Sequence, residues 1–540
     1  MEYTMVASSK IFGLSLLAIP AWAVNYKEPY RPQFHFSPAK NWINDPAGLV
    51  HHNGKYHMYF QYNPGGIEWG NMSWGHATSD DLTHWEEQPI ALLARGYPDS
   101  ASEMFFTGSA VADVHNTSGF AVEDKTPLVA IYTSSYPIAQ TLPSGKKVKE
   151  EQQSQSIAYS LDDGMTWTTY DAGNPVIHNP PAPFENQYKN FRDPFVFWHD
   201  QSRKWVLVTA LAEIHKLVLW TSDNLKDWKA ESEFGPFNAV GGVWECPNLF
   251  PLPVDDDQSK MKWIMVVGLN PGGPPGTVGS GTQFFIGSFN GTTFVPDDDS
   301  VYPGNQTSNW MDWGPDYYAA ASYNGLNDAD RTVIGWVNNW QYATAIPAAP
   351  WHGAMAAPRH LSLKTINHKT TLIQQVHKNL RVIESNGSIT SSWKTFAEGK
   401  KDLGSVGKTL DIELEFSSSD ANEFGIVLQA TSDWKQKTRI GYNFVSKEIF
   451  VDRTESGDIT FDKTFASVYH APLTPNSHGI VRLRILVDWS SVEVFGGEGE
   501  ATLTAQIFAS RNATFAQLFS NGGSTKNVEL GIHKVSSIWN

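Results

Sequence analysis

Along this chain apolar side chains recur at every second position in short runs, and stretches with the 3.6-residue period of a helix are scarce, so strands are the predicted elements. Five runs are strongly apolar and follow turn residues: 55–62 (KYHMYFQY), 127–133 (PLVAIYT), 204–211 (KWVLVTAL), 262–269 (KWIMVVGL) and 331–338 (RTVIGWVN). Their centres recur roughly every 60 to 75 residues, which marks a repeated unit. Before the first run, Gly48-Leu49-Val50-His51-His52 leads into Asn53-Gly54, a hairpin dipeptide because both central positions need positive φ. A turn ending in Trp follows in three units: Ser79 to Trp85, Ser160 to Trp167 and Ser222 to Trp228, with Gly287 to Phe294 a degenerate copy. Asp and Asn suit the turn, and the ring packs on the neighbouring sheet. Five four-stranded units predict a five-bladed β-propeller over 24–365, against the competing reading of an irregular sandwich with coincidental spacing. The last third alternates strictly at 409–416, 481–487 and 491–495, the pattern of antiparallel sheets with one wet face. The fold class is therefore all-β, with a linker at 366–385 and a C-terminal β-sandwich at 386–540.

The N-terminus departs from this pattern. Lys10 precedes an apolar run at 11–19, then Pro20 and the small-x-small triplet Ala21-Trp22-Ala23, which reads as a secretory signal peptide spanning 1–23. The run is too short to cross a bilayer, which takes about 20 residues, so no membrane association is expected. Export makes six Asn-x-Ser/Thr sequons candidates for glycans, at Asn71, Asn116, Asn290, Asn305, Asn386 and Asn512. With 40 Lys+Arg against 56 Asp+Glu the net charge is -16, which makes nucleic acid an unsuitable partner. The single cysteine forbids an internal disulfide. The composition leaves the oligomeric state open.

The chemistry lies in acids placed just before the repeated hairpins. Asp45 and Asp193 each stand 14 residues before the centre of the following apolar run, and Glu245 and Asp316 hold similar places in later units. First strands line the axis of a propeller, so four carboxyls are expected to share one funnel. Pro46 and Pro194 hold the preceding acids extended, and Pro247 acts one residue later in its unit. Converging acids whose environments separate their proton affinities suit retaining glycoside hydrolysis, one as nucleophile and another as general acid. The 21 Trp supply flat faces for sugar C–H surfaces, although packing is the default role of each. Neither a phosphate loop, a His-Glu-x-x-His zinc spacing nor a Gly-x-Ser-x-Gly elbow occurs, and His51 and His52 point to opposite faces of a strand. No metal and no cofactor are expected. Cys246 lacks a basic neighbour in sequence and reads as buried packing.

The blocks Trp42-Ile43-Asn44-Asp45-Pro46, Phe60-Gln61-Tyr62-Asn63-Pro64, Phe191-Arg192-Asp193-Pro194 and Trp244-Glu245-Cys246-Pro247 resemble the signatures of glycoside hydrolase family 32. Through 65–71, 140–145 and 270–280 the chain is most similar to fungal exo-acting inulin hydrolases of that family. The resemblance implies a propeller followed by a sandwich, and a secreted exo-β-fructosidase acting on fructans and sucrose. It also implies roles: Asp45 as nucleophile, Glu245 as acid and base, and Asp193 as stabiliser of the transition state. Retention then requires the Asp45 and Glu245 carboxyls about 5–5.5 Å apart. Asn44, Gln61, Trp69, Ser109 and Arg192 match sugar-contacting positions and Trp42, Phe106 and Trp340 match an apolar wall, while Asp316 is expected either to bind sugar or only to order the rim. Ala47 departs from the family, which has Asn there, and the loss of that amide is expected to alter the balance of hydrolysis and transfer. The alternatives are an invertase or fructosyltransferase of the same family, or a non-catalytic carbohydrate-binding propeller. The string Ser160 to Trp167 also resembles the Asp box of sialidases, but the arginine cluster and Tyr nucleophile of those enzymes are not evident.

Overall fold

The computed structural model describes residues 25–302, 308–385, 387–418 and 420–539. The expected leader at 1–23 and the sequons at Asn305 and Asn386 lie outside the described residues. Among those described, the helical pieces are short 3₁₀ turns, and strands carry the architecture. Five blades circle one axis and a two-sheet sandwich follows.

The first blade comprises Asn41–His52, Lys55–Asn63, Ser73–Ser79 and Glu86–Leu92, each antiparallel to the next. The apolar runs are the second strands of successive blades: Lys55–Asn63, Leu128–Tyr136, Lys204–Leu211, Asp257–Asn270 and Thr332–Val337. They are buried on both faces because neighbouring blades cover them, hence their continuous apolar character. Asn53 and Gly54 have φ of 48° and 79°, as the tight hairpin requires. The side-chain oxygens of Asp81, Asp162, Asn224 and Asn290 each accept backbone N–H groups of the turn that follows. The degenerate fourth copy therefore folds like the other three. Closure of the ring uses Trp351–His352, which leaves the fifth blade to pair parallel with Asn41 and Trp42 of the first.

The sandwich has two six-stranded sheets. Leu410, Ile412, Leu414 and Phe416 enter its core with Val481, Leu483, Ile485 and Val487. On the other face of the same strands Arg484 pairs with Asp411, and Arg482 with Glu415. The sheet carrying Leu486 and Phe495 packs on the propeller side, where they meet Phe34, Ala357 and Val376.

Candidate active site

Each first strand breaks register near its start, between Ile43 and Pro46, Phe105 and Gly108, Arg192 and Phe195, Glu245 and Asn248, and Tyr318 and Ala321, and the first and fourth break it again at Ala47/Val50 and Pro253/Val254. A bulge adds a residue to one strand and re-aims its side chains. Asp45, Thr107, Asp193 and Cys246 all lie inside these bulges. Asp193, Cys246 and Ala319 are held at φ of 62°, 49° and 52°, a region that L-residues rarely occupy. These three strained positions all lie inside first-strand bulges.

Three of the four predicted carboxyls meet there. Asp45 accepts from Asn44 Nδ2 at 3.1 Å, from Thr107 Oγ1 at 2.7 Å and from the Cys246 thiol at 3.3 Å. Asp193 Oδ2 accepts from the Cys246 backbone N–H at 3.0 Å and lies 3.9 Å from Arg192 Nε. Glu245 Oε1 accepts from Arg192 Nε and Nη2 at 3.2 and 2.9 Å, and its other oxygen accepts from the Tyr318 hydroxyl. Arg192, Glu245 and Tyr318 occupy the same position in consecutive blades, the last paired residue before the bulge, so they form a chain around the axis. Asp45 and Asp193 are 8% and 5% exposed, whereas the Glu245 side chain is 18% exposed. Glu245 is thus the carboxyl nearest to solvent.

Burial raises the proton affinity of Asp45, and the Glu245 charge raises it further, against the hydrogen bonds from Thr107, Asn44 and Cys246. Asp193 is pushed up to about 7 by burial, with Arg192 opposing and the charges of Glu245 and Asp45 adding. Burial and the surrounding acids push the Cys246 thiol well up, so it remains a neutral donor to Asp45. Tyr318 likewise keeps its proton and donates it in a hydrogen bond to Glu245. Burial and mutual repulsion thus favour the protonated forms of Asp45 and Asp193.

Asp316 does not join the funnel. It is wholly buried at the junction with the sandwich, paired with Arg453 at 2.6 Å. Counting back from the second strand misplaced it because connections inside the first hairpins differ in length, and Tyr318 stands in its place. Ser109 is also spent elsewhere: its hydroxyl donates to Pro194 O at 3.0 Å and accepts from Val196 N, bracing the strand behind Asp193. Trp42 is fully buried, donates to Asn44 Oδ1 at 2.8 Å and stacks behind Trp336 and Trp340 rather than forming an open wall. Gln61 is buried with its amide donating to Phe105 O. Trp340 and Phe106 are partly buried beside the acids, and Trp69, 44% exposed, meets Phe106 edge-on. Ala47 packs in the apolar contact between the first two blades with Tyr59, Trp74 and Leu128.

Sequence reasoning missed Thr107 and Tyr318. Their signal was the position shared with known acids in other blades, legible only once the bulges are aligned. A small void of about 20 Å³ lies beside the acids, lined by Pro46, Thr107, Ser109, Asp193, Cys246 and Pro247. A cleft of about 1160 Å³ lies on the sandwich between 374–392 and the Arg482 face, apart from these acids. Of the described sequons, Asn116, Asn290 and Asn512 are exposed and Asn71 is partly buried at the rim.

The pattern described as Glycosyl hydrolases family 32 N-terminal domain matches residues 35–376, and that of the family 32 C terminal matches 378–534. An extracellular exo-inulinase of Aspergillus ficuum is 64% identical over 533 residues, 98% of this chain and 99% of the relative. The crystal structure of an exo-inulinase from Aspergillus awamori superposes with a TM-score of 0.94 at 63% identity, covering 95% of this chain and 100% of that one. A β-fructofuranosidase from Schwanniomyces occidentalis complexed with fructosyl-erythritol superposes at 0.81 and 29% identity, over 96% and 99% of the two chains.

Proposed function

Because the chain belongs to glycoside hydrolase family 32, we propose that it is an extracellular retaining exo-β-fructosidase, an exo-inulinase that releases terminal fructose from inulin- and levan-type fructans and hydrolyses sucrose. The observation that carries this reading is the meeting of Asp45, Asp193 and Glu245 at the bulges of three first strands. The 64% identity over nearly the full length to a relative named extracellular exo-inulinase supports exo-cleavage. The described residues include no helix long and apolar enough to cross a membrane.

Asp45 attacks the anomeric C2 of the terminal fructosyl unit. Its carboxylate is aimed by Thr107 and Asn44 and sheltered from water, so little solvent must reorganise as the bond forms. Glu245, the most open acid, protonates the departing glycosidic oxygen and then takes a proton from the water that breaks the Asp45 ester. Arg192 and Tyr318 hold it in place. Asp193, anchored through the Cys246 N–H, binds fructose hydroxyls and steadies the positive charge that develops on the sugar ring. Trp69, Phe106 and Trp340 border the sugar, and Trp42, Ser109 and Gln61 support the groups that touch it.

A time course of products tests the assignment. Inulin should yield fructose alone from the first minutes, and an Asp45→Asn variant should yield nothing above background. Early oligosaccharides would establish internal cleavage instead, kestose-type products from sucrose would establish transfer, and binding without turnover would leave a carbohydrate-binding propeller.

A further inference from the structure

Asp316 and Arg453 form a buried link between the sandwich and the active-site rim. Arg453 rises from strand Glu448–Glu455 and is completely enclosed. Its Nη1 lies 2.6 Å from Asp316 Oδ2, its Nη2 donates to the Tyr342 and Tyr469 hydroxyls at 2.9 and 2.8 Å, and its Nε donates to Phe465 O at 2.6 Å. The guanidinium also stacks 3.7 Å from the Phe465 ring centre. Tyr342 donates to the other Asp316 oxygen, and Gln506 N donates to Oδ2 at 2.7 Å. Every polar atom of the pair is engaged, and both ends are fixed.

The propeller residues held this way flank residues of the site. Asp316 stands two positions before Tyr318, whose hydroxyl donates to Glu245. Tyr342 stands two positions after Trp340, which borders the sugar. Asn339 laces the two segments together, donating to Pro315 O at 2.6 Å while Tyr342 N returns to Asn339 O at 3.0 Å. We propose that Arg453 is a positioning residue of the active site, setting through Asp316 and Tyr342 where Tyr318 meets Glu245 and where Trp340 meets the sugar. The sandwich is then part of the catalytic apparatus at second hand, without reaching the substrate through this residue. The inference rests on the reading of Glu245 as the acid, whose charged and titratable neighbours are Arg192, Asp45, Asp193, Cys246 and Tyr318.

The test compares full-length Arg453→Lys, Arg453→Met and the milder Tyr342→Phe with His35→Gln. His35 is a buried group at the same domain junction, bound to Asp488 and Glu493, with no contact to 316–318 or 339–342. A misplacement of about 1 Å costs up to about a hundredfold in rate. Arg453→Met should lower kcat about ten- to hundredfold and Arg453→Lys less, with the alkaline limb of the kcat profile moved to higher pH as Tyr318 releases Glu245. Tyr342→Phe should mainly raise KM. In a Tyr318→Phe background Arg453→Lys should move the limb no further. His35→Gln should lower the melting temperature and leave kcat and the limb unchanged. Folded Arg453→Lys and Tyr342→Phe with wild-type kcat, KM and limb overturn the proposal, as do losses equal to those of His35→Gln. Should Arg453→Met not fold, those two variants decide. Glu245→Gln, measured in parallel on fructan, separates the two failures: an unchanged alkaline limb there overturns the acid reading itself.

Discussion

Thr107 shows how a neutral side chain governs an acid. Its hydroxyl donates to Asp45 Oδ2 at 2.7 Å, offsetting the burial that favours the protonated carboxyl. Thr107→Val removes that donor and keeps the shape. The proton affinity of Asp45 then rises further, and since the nucleophile must be ionised, the acid limb of kcat/KM should move to higher pH. A limb that stays in place would mean that Thr107 does not control the nucleophile. At this scale the sequence was partly legible. Asp45, Asp193 and Glu245 stood out because a proline follows each, directly or one residue later, in matching units. Tyr318 was not legible, since an aromatic residue two positions after an acid reads as core. Asp316 was misplaced among the funnel acids because an acid at the axis and an acid buried against Arg453 look alike in one dimension. Ala47 lies among apolar side chains between blades, so Ala47→Asn should chiefly cost stability, by about 1–3 kcal/mol, seen in urea melts, rather than redirect products.

The elements divide by how regular they are. Second strands were readable because both faces are covered and their apolar runs are unbroken. First strands were not, because the bulges that aim the functional groups also interrupt alternation, and fourth strands such as Thr168–Thr169 are too short to leave a pattern. Gly108 marks the bulge of the second blade, directly after Thr107. A Cβ there would lie 2.1 Å from Ile131 O and 2.6 Å from Tyr132 Cα, both backbone atoms of the paired strand. Gly108→Ala should therefore destabilise the fold by about 1–3 kcal/mol and lower kcat by displacing Thr107. Unchanged urea melts and rates would show that the strand yields at this bulge.

At the scale of the whole molecule, the two domains are joined by buried charge. His35 touches Asp488 at 2.9 Å through one ring nitrogen and Glu493 at 2.8 Å through the other, and Arg359 completes the cluster with Glu493 and Asp312. An imidazole flanked by two carboxylates satisfies both only when doubly protonated. Burial opposes the charged form, but the hydrogen bonds and charges of Asp488 and Glu493 win and push His35 up to about 9 from its ordinary 6.5. A raised value in the folded state contributes stability that is complete below pH 6.5 and is lost as pH rises through about 9, on the order of 3 kcal/mol. Glu493 works in the other direction, held down to about 2 by Arg359 and His35, so its contribution is present above its ordinary 4.5 and is lost as pH falls through about 2. The melting temperature should fall between pH 6.5 and 9 in the wild type and less steeply in His35→Gln; parallel curves would remove His35 from the junction's pH response. The junction matters to function because the same sandwich reaches the rim through Arg453. The central claim, however, concerns the funnel: Asp45 forms the bond and Glu245 moves the proton. Glu245→Gln supplied with a fructoside whose leaving group needs no proton should form the first ester and fail to hydrolyse it. Mass spectrometry of that mixture should then find the protein heavier by one fructosyl unit, on the peptide that carries Asp45. Fructose release with no adduct, or an adduct on Asp193, would contradict the account.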